Sequence, residues 1–260
     1  MDLQFHLPKN ASAHHRNKHI HYRQKLVKLL YILSNATGGV ILFVSADTQP
    51  KKGSFSRLIS KLQISNVGIV CGNPVPVNPP TSLVGRLVQL LWSFHGHVFE
   101  ELNDSGLARH ATEIFCIRKG IVDRIPAETV NDDAYLAVTT KKKGWLIKYD
   151  AQSQVLICGP KTFQEYFQQR RRIIFGHYQI RKLTGESPQY LVQLMPRHPL
   201  QTLKLALWLF TKYNPTTVAT FLFTEFWVNV FAIGDFIFGK TYFQWSALSS
   251  TKIVFSQQET

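Results

Sequence analysis

The sequence predicts an α/β protein, a mixed sheet flanked by helices and followed by an apolar helical segment. Short apolar runs bounded by turn residues indicate buried strands at 40–44, 67–72 and 114–118. Stretches of helical periodicity lie between them, at 54–64 and 82–102. Two long apolar runs near the C-terminal end add helices that do not alternate with strands. This alternation of short strands and helices is typical of one α/β domain with an appended segment.

The composition and net charge of the chain limit the classes of molecule that we expect it to bind. The chain has 260 residues, 45% of them hydrophobic, which is enough for one sizeable core. It carries 30 Lys and Arg against 16 Asp and Glu, a net charge of +14. Such chains meet nucleic acid, anionic membranes or anionic small molecules. The aromatic residues lie in apolar runs rather than between basic residues, so we expect a membrane surface and a nucleotide diphosphate, and no nucleic acid.

The chain divides into three parts. Residues 1–22 form a basic, His-rich leader, in which His15 and His19 have metal-ligand spacing but no acidic or Cys ligand nearby. Residues 23–185 form the main domain, which opens with an amphipathic helix at 22–33. Residues 186–260 form a helical segment that we expect to associate with a membrane. The cysteines lie in strand-like runs and are interpreted as buried thiols: Cys71, Cys116 and Cys158.

Three segments have less regular predictions. The four prolines at 74, 76, 79 and 80 predict a rigid irregular loop. The runs at 144–149 and 154–159 predict two short strands joined by a polar turn. After Gly176 the sequence predicts a linker with helical pieces.

The stretch from Asn131 to Gly176 holds the candidate chemistry. Asp132 and Asp133 open a predicted helix, and a later helix carries Gln168, Gln169 and the arginines at 170–172. A carboxylate takes an acceptor proton, and fixed cations hold an anionic leaving group. The pattern therefore predicts a site for a sugar donor that carries a diphosphate. A solvated charge run is the alternative, but apolar residues surround the arginines.

This ordered set of residues resembles the inverting family 2 glycosyltransferases, which have the GT-A fold. Asp133 matches the general base of the family, and Asp132 stands where Glu is usual. Gln169 and Arg172 match a Gln-x-x-Arg-Trp motif, with Ile173 in the place of the Trp. The resemblance implies a nucleotide-diphosphate sugar as donor and a hydroxyl acceptor on a lipid or a polysaccharide.

The resemblance extends from about Arg23 to Lys252 and implies further roles. Asp47, just past a predicted strand, matches the later Asp of an Asp-x-Asp motif that holds Mn²⁺ or Mg²⁺ on the donor phosphates. Ser45 replaces the first Asp, which removes a negative charge. Arg118 falls on the strand that lines the acceptor side, while Arg170 and Arg171 add positive charge for the diphosphate. Trp245 matches a Trp in the family's closing segment.

The strands that bind the base in this family would precede the helix at 22–33. Three explanations for the absence of these strands from the sequence stay open. The chain is a piece of a longer enzyme, a partner subunit supplies the missing half, or the chain is a non-catalytic relative. The last is the alternative function, a protein that binds a membrane surface or a partner. We expect a cytoplasmic location at the inner face of a membrane.

The apolar run at 216–239 is about long enough to cross a bilayer, but Glu225, Asn229 and Asp235 interrupt it. A carboxylate in mid-membrane costs roughly 2.5–3.5 kcal/mol, so a helix lying at the membrane interface or packed on the domain fits better. The sequence leaves these two alternatives open.

Overall fold

The computed structural model describes residues 33, 35–103, 105–108, 110–126, 128–188, 195–196 and 198–242. The leader, nearly all of the predicted first helix, Trp245 and Lys252 lie outside these residues. The strands are β1 Val40–Val44, β2 Gln49–Pro50, β3 Val67–Pro76, β4 Ile114–Arg118 and β5 Leu146–Ile157. The helices are α1 Ser54–Leu62, α2 Leu83–Asn103, α3 Asp132–Lys142, α4 Phe163–Thr184, α5 Pro199–Lys212 and α6 Pro215–Ile237.

The five strands form one sheet in the order β1-β4-β3-β5-β2. The prediction of a mixed sheet flanked by helices is confirmed. β3 and β5 are parallel, and the other neighbouring pairs are antiparallel. Val44 pairs with Ile114, and Val40 pairs with Arg118 at the other end of β4. The turn after β1 and the start of β4 therefore lie at the same edge of the sheet.

The core has a layer on each face of the sheet. Ile69 and Cys71 of β3 pack in the cluster that contains Leu136 of α3. Val70, which points to the opposite face, packs with Leu58 and Leu62 of α1. This alternation follows from the period of two along a strand. A third cluster joins α2, α4, α5 and α6 through buried residues such as Leu87, Tyr166, Leu209 and Phe221.

The predicted proline-rich loop is in part a strand, because β3 continues through Pro76. Val77 donates its backbone N–H to Ile157 of β5, so the residues at alternate positions face β5. Pro74 and Pro76 then face the other side, where pairing with β4 has already ended at Cys71. Proline has no backbone N–H, so it leaves no donor unpaired on a side of a strand that has no neighbouring strand. The expectation of an irregular loop was therefore wrong for 73–76.

The two strands predicted at 144–149 and 154–159 are one strand, β5. Its register against β3 jumps between Gly72–Asp150 and Asn73–Gln154, so residues 151–153 form a bulge. The polar residues that suggested a turn are satisfied internally. Asp150 is 3% exposed and accepts hydrogen bonds from Lys61 at 2.8 Å, Arg57 at 3.1 Å and Ser153 at 2.6 Å.

The predicted linker after Gly176 is also wrong up to residue 184, because α4 continues to Thr184. The helix begins with a capping box between Thr162 and Glu165. It ends at Gly185, whose φ of 79° favours glycine. These two caps account for a helix of 22 residues.

The acidic side chain in the β5 bulge generates a stability prediction. Burial alone raises the pKa of Asp150, but hydrogen bonds from Lys61, Ser153 and Arg57 lower it to about 2. We expect Asp150→Asn to reduce the free energy of unfolding by about 1–3 kcal/mol at pH 7, because two cations lose a charged acceptor. Chemical denaturation measures this change.

A carboxyl whose pKa is lowered on folding stabilises the protein above its unfolded pKa. The difference between wild type and Asp150→Asn should therefore shrink as pH falls from about 4 towards 2. The exposed Asp123 provides the matched control, Asp123→Asn, which should leave stability within about 0.5 kcal/mol of wild type. A variant at position 150 as stable as wild type at pH 7 would contradict this account.

Candidate functional site

The acidic pair lies at the first turn of α3. The backbone N–H of Asp133 donates to Oδ1 of Asp132 at 3.2 Å, and that of Ala134 donates to Oδ1 of Asp133 at 2.7 Å. Both aspartates are half-buried. A helix N-terminus carries a partial positive charge that favours carboxylates. The local structure therefore stabilises the anionic form that a general base needs.

Helix α4 packs closely against this start of α3. Asn131 donates from Nδ2 to the carbonyl of Ile173 at 2.9 Å. A Cβ at Gly176 would lie 2.6 Å from Cγ of Asn131, so only glycine permits the approach. Arg172 donates from Nη2 to the carbonyl of Val130 at 3.2 Å. The structure thus brings Arg172 beside the segment that carries the acidic pair. Gln169 lies three residues earlier on α4, and therefore on the same side as Arg172.

The other two arginines of α4 are engaged elsewhere. Arg170 forms a two-bond ion pair with Glu225 of α6, at 2.9 and 2.8 Å. Tyr166 donates its hydroxyl to the same carboxylate at 3.2 Å. Arg171 forms a second two-bond pair with Asp235. Both guanidinium groups therefore hold α6 in this structure, and their predicted contact with substrate stays a prediction.

Arg118 lies away from these groups. Its guanidinium donates to the carbonyls of Val67 at 2.7 Å and Ile64 at 2.9 Å, and it lies 5.7 Å from the ring centre of Trp145. It follows that Arg118 ties the end of α1 to β3. Because Val40 pairs with Arg118, this side chain is at the opposite end of β4 from the turn that carries Asp47. The structure does not bring Arg118 and Asp47 together.

Asp47 is exposed in a tight turn after β1. Thr48 closes the turn by donating its backbone N–H and its hydroxyl to the carbonyl of Ser45. Glu113, just before β4, accepts a hydrogen bond from the hydroxyl of Ser45, and its carbonyl accepts from the N–H of Ser45. A second carboxylate thus contacts the position where the family's first Asp is replaced. Among the described residues, no group of three or more His, Cys, Asp or Glu has a metal-binding arrangement.

Sequence reasoning did not identify Glu113. The contact between Glu113 and Ser45 depends on the antiparallel register of β1 and β4, which brings residues 68 positions apart together. A prediction of that register from the apolar patterns of the two strands would have found it.

Three histidines, of which His177 is buried and His95 and His110 are half-buried, contact one another. The ring centres of His95 and His110 are 5.4 Å apart, and those of His110 and His177 are 5.6 Å apart. Both ring nitrogens of His177 are buried and have no hydrogen-bond partner among the residues that the structure describes. The thiol of Cys71 contacts the carbonyl of His110 at 3.4 Å. Burial raises the pKa of that thiol, and the charge of Asp133 contributes to the rise, so the acidic pair is within electrostatic reach of this group.

Burial holds the pKa of His95 and of His177 well below the usual range, and the nearby His110 and Arg170 lower both further. These three histidines come from α2, from the loop before β4 and from α4, which no local sequence pattern links. His97, by contrast, stacks on Trp208 with ring centres 4.3 Å apart.

A shallow depression of about 330 Å³ lies at the other end of α3. It is lined by Val122, Asp123, Arg124, Thr139 and Lys143. None of the predicted site residues lines it. The structure brings Arg172 and the segment of the acidic pair together at the contact between α3 and α4, and it brings Ser45 and Glu113 together at the turn after β1.

Comparison with known proteins identifies the class of fold. No family model matches the sequence, and no curated protein matches it. Among solved structures, the fold is similar to that of a mannosyltransferase from Pyrobaculum calidifontis in complex with GDP-Man and Mn²⁺. The TM-score is 0.51 at 15% identity, and the match covers 89% of this chain and 68% of that chain. The chain therefore has a glycosyltransferase-like fold, as predicted.

The buried histidines generate a prediction about pH. A histidine whose pKa is lowered on folding stays neutral in the protein and gains a proton on unfolding. Stability should therefore be complete above about pH 6.5 and decrease below it, by at most about 1.4 kcal/mol per pH unit for each such histidine. We expect His177→Phe to reduce this slope between pH 6.5 and 5, as measured by denaturation at several pH values.

The exposed His198 supplies the control, because His198→Gln should leave the slope unchanged. At pH 7.5 His177→Phe should cost little, because the replaced ring makes no hydrogen bond. A wild-type protein equally stable at pH 7 and pH 5 would contradict the burial of neutral histidines.

Proposed function

We propose that this protein is an inverting glycosyltransferase that moves a sugar from a nucleotide-diphosphate donor to an acceptor hydroxyl. The observation that carries the proposal is the contact between α3 and α4 on a glycosyltransferase-like fold. The hydrogen bond from Arg172 to Val130 holds a cation beside Asp132 and Asp133. A carboxylate base next to a diphosphate-binding cation is the arrangement that this reaction requires.

In the proposal, Asp133 is the general base. It removes the proton from the acceptor hydroxyl as the hydroxyl oxygen attacks the anomeric carbon, and the bond from that carbon to the diphosphate breaks. Attack from the side opposite the leaving group inverts the configuration. Asp132 accepts a hydrogen bond from the backbone N–H of Asp133 and thereby positions this base.

The leaving group is a nucleoside diphosphate, and its negative charge grows as the bond breaks. We assign its stabilisation to Arg172 and Gln169, which share one side of α4. The guanidinium groups of Arg170 and Arg171 contact Glu225 and Asp235, so we give these two arginines the role of holding α6 and no direct contact with the diphosphate. Charge-assisted hydrogen bonds to phosphate are stronger than neutral ones, which favours an arginine in this place.

Asp47 and Glu113 are the residues that we assign to a divalent cation. Mn²⁺ or Mg²⁺ prefers oxygen ligands and is held well by one or two carboxylates together with phosphate oxygens. The exposed carboxylate of Asp47 and the carboxylate of Glu113 beside Ser45 fit that requirement. A bound cation would neutralise the donor phosphates, which lets them approach these two acids.

The donor and the acceptor classes follow from weaker observations. The similar mannosyltransferase was solved with GDP-Man, so we propose GDP-sugars as the first donors to test and UDP-sugars as the second. A lipid hydroxyl or a polysaccharide hydroxyl is the proposed acceptor. A partner that completes the nucleotide side of the sheet stays a proposal.

A second candidate function is a non-catalytic relative that binds a membrane surface or another protein. Two observations favour it: Ser45 stands where a metal-binding Asp is expected, and two of the three α4 arginines form intramolecular ion pairs. Metal-dependent nucleotide binding distinguishes the two functions.

The base assignment is tested by Asp133→Asn. We expect transfer from a GDP-sugar to fall by at least 100-fold, because an amide does not accept the acceptor proton, while donor affinity stays within about threefold. Release of GDP and formation of the glycosylated product measure transfer, and calorimetry measures donor binding.

Asp123→Asn is the matched control, since this exposed residue lies towards the other end of α3 and should keep full activity. Normal turnover in Asp133→Asn would reject Asp133 as the base. Loss of both binding and activity in that variant, with an unchanged circular dichroism spectrum, would assign it to donor binding instead.

A further inference from the structure

The outward face of α6 is apolar from residue 219 onward. Every side chain between residues 219 and 238 that is exposed belongs to Ala, Val, Leu, Ile, Phe or Trp. Phe238 is 88% exposed, Ile237 71%, Phe223 66% and Phe226 59%. We call this surface the outer face of α6; its largest members are Phe223, Phe226, Trp227, Phe231, Ile237 and Phe238. Monomeric soluble proteins rarely leave so large an aromatic surface in water.

After the exposed Thr216 of the first turn, the polar side chains of α6 lie on its inner face. Thr224 is buried and donates to the carbonyl of Thr220 at 2.8 Å. Asn229 donates to the carbonyl of Glu225 at 2.8 Å and accepts from the hydroxyl of Tyr178 at 3.3 Å. A surface helix of a soluble protein has the reverse arrangement, with its apolar side facing the core and its polar side facing water.

The two acidic residues of α6 are neutralised from α4. Arg170 pairs with Glu225, whose side chain is 17% exposed, and Arg171 pairs with Asp235, which is 8% exposed. The carboxylates that interrupt the apolar sequence therefore face protein and carry a countercharge. The cost expected for a carboxylate facing lipid does not apply to this helix in this structure.

Exposed lysines flank α6 along the chain. Between residues 198 and 242 the acidic residues are Glu225 and Asp235, both paired with arginines, whereas Lys204, Lys212 and Lys240 are all exposed. Lys240 also lies 3.6 Å from Asp235. Lys212 ends α5, and Lys240 follows α6. Lysines at such positions extend towards anionic headgroups while their alkyl chains cover apolar surface.

The neighbouring helix α5 also exposes an apolar side. In α5 the exposed apolar residues recur at helical spacing, at Leu200, Leu203, Leu207 and Phe210. Its opposite side buries Leu205 and Leu209 against the domain. Two consecutive helices therefore each bury one side in the protein and expose another apolar side.

We propose that α5 and α6 bind the surface of a bilayer that contains anionic lipid, with the outer face of α6 at the boundary between headgroups and acyl chains. α6 has the length and apolar composition to cross a membrane, but its inner face is packed against α2 and α4. A helix held in that way lies in the interface. The net charge of +14 favours an anionic bilayer over a second copy of the chain as the occupant.

Vesicle flotation of the purified chain tests this proposal. We expect the wild type to float with vesicles of phosphatidylcholine and phosphatidylglycerol, and less with phosphatidylcholine alone or at high salt. The double variant Phe223→Gln/Phe226→Gln should lose at least tenfold in the bound-to-free ratio. The matched control is Phe55→Gln/Ile59→Gln, which changes two exposed apolar residues of α1 and should bind as wild type does.

Each remaining outcome rejects the proposal. A wild type that binds neither kind of vesicle, or a Phe223→Gln/Phe226→Gln variant that binds as wild type does, would overturn it. Light scattering measures the oligomeric state and so tests the alternative occupant, a second copy of the chain. If the wild type is a dimer that does not bind vesicles and the double variant is a monomer, the outer face of α6 is a contact between copies. Circular dichroism verifies that the variants fold. Vesicle binding does not require sugar transfer, so failure of either proposal is recognisable separately.

Discussion

Three consecutive arginines on one helix cannot face one ligand, and the rest of this structure depends on that constraint. Successive residues of an α-helix differ by about 100° in direction. Arg170 and Arg171 accordingly contact two acids of α6, and Arg172 contacts the segment before α3. The row that resembles a single anion-binding cluster in the sequence is therefore divided between ion pairs to α6 and a hydrogen bond to the segment before α3. α4 therefore joins the apolar C-terminal helices to the candidate site.

The position of α4 between α3 and α6 connects the proposed active site with the proposed membrane-binding surface. The acidic pair of α3 lies on one side of α4, and the outer face of α6 lies on the far side of the helix that α4 holds. An enzyme of this shape would meet its acceptor near a membrane, which fits a lipid acceptor better than a soluble one. The rings of His95, His110 and His177 also join α2 and the loop before β4 to α4.

The elements whose patterns are local could be predicted from the sequence. β1, α1, α2, β4 and α3 were confirmed, because burial on one face leaves a period in the residues. The strand through Pro76 was missed because its prolines face a side on which pairing with β4 has already ended. The continuous β5 was missed because side chains of α1 bind the polar residues of its bulge. Glu113 and His177 were missed for the same reason, since their partners are far away in sequence.

Titration with GDP and UDP, with and without Mn²⁺, tests the central claim most directly. The account predicts micromolar binding that needs Mn²⁺, is lost in Asp47→Ala and is weakened at least tenfold in Glu113→Gln. The exposed Glu128 supplies the control, because Glu128→Gln should bind as wild type does. Absence of nucleotide binding by a folded chain, in either metal condition, would contradict the account and favour a non-catalytic relative of the glycosyltransferases.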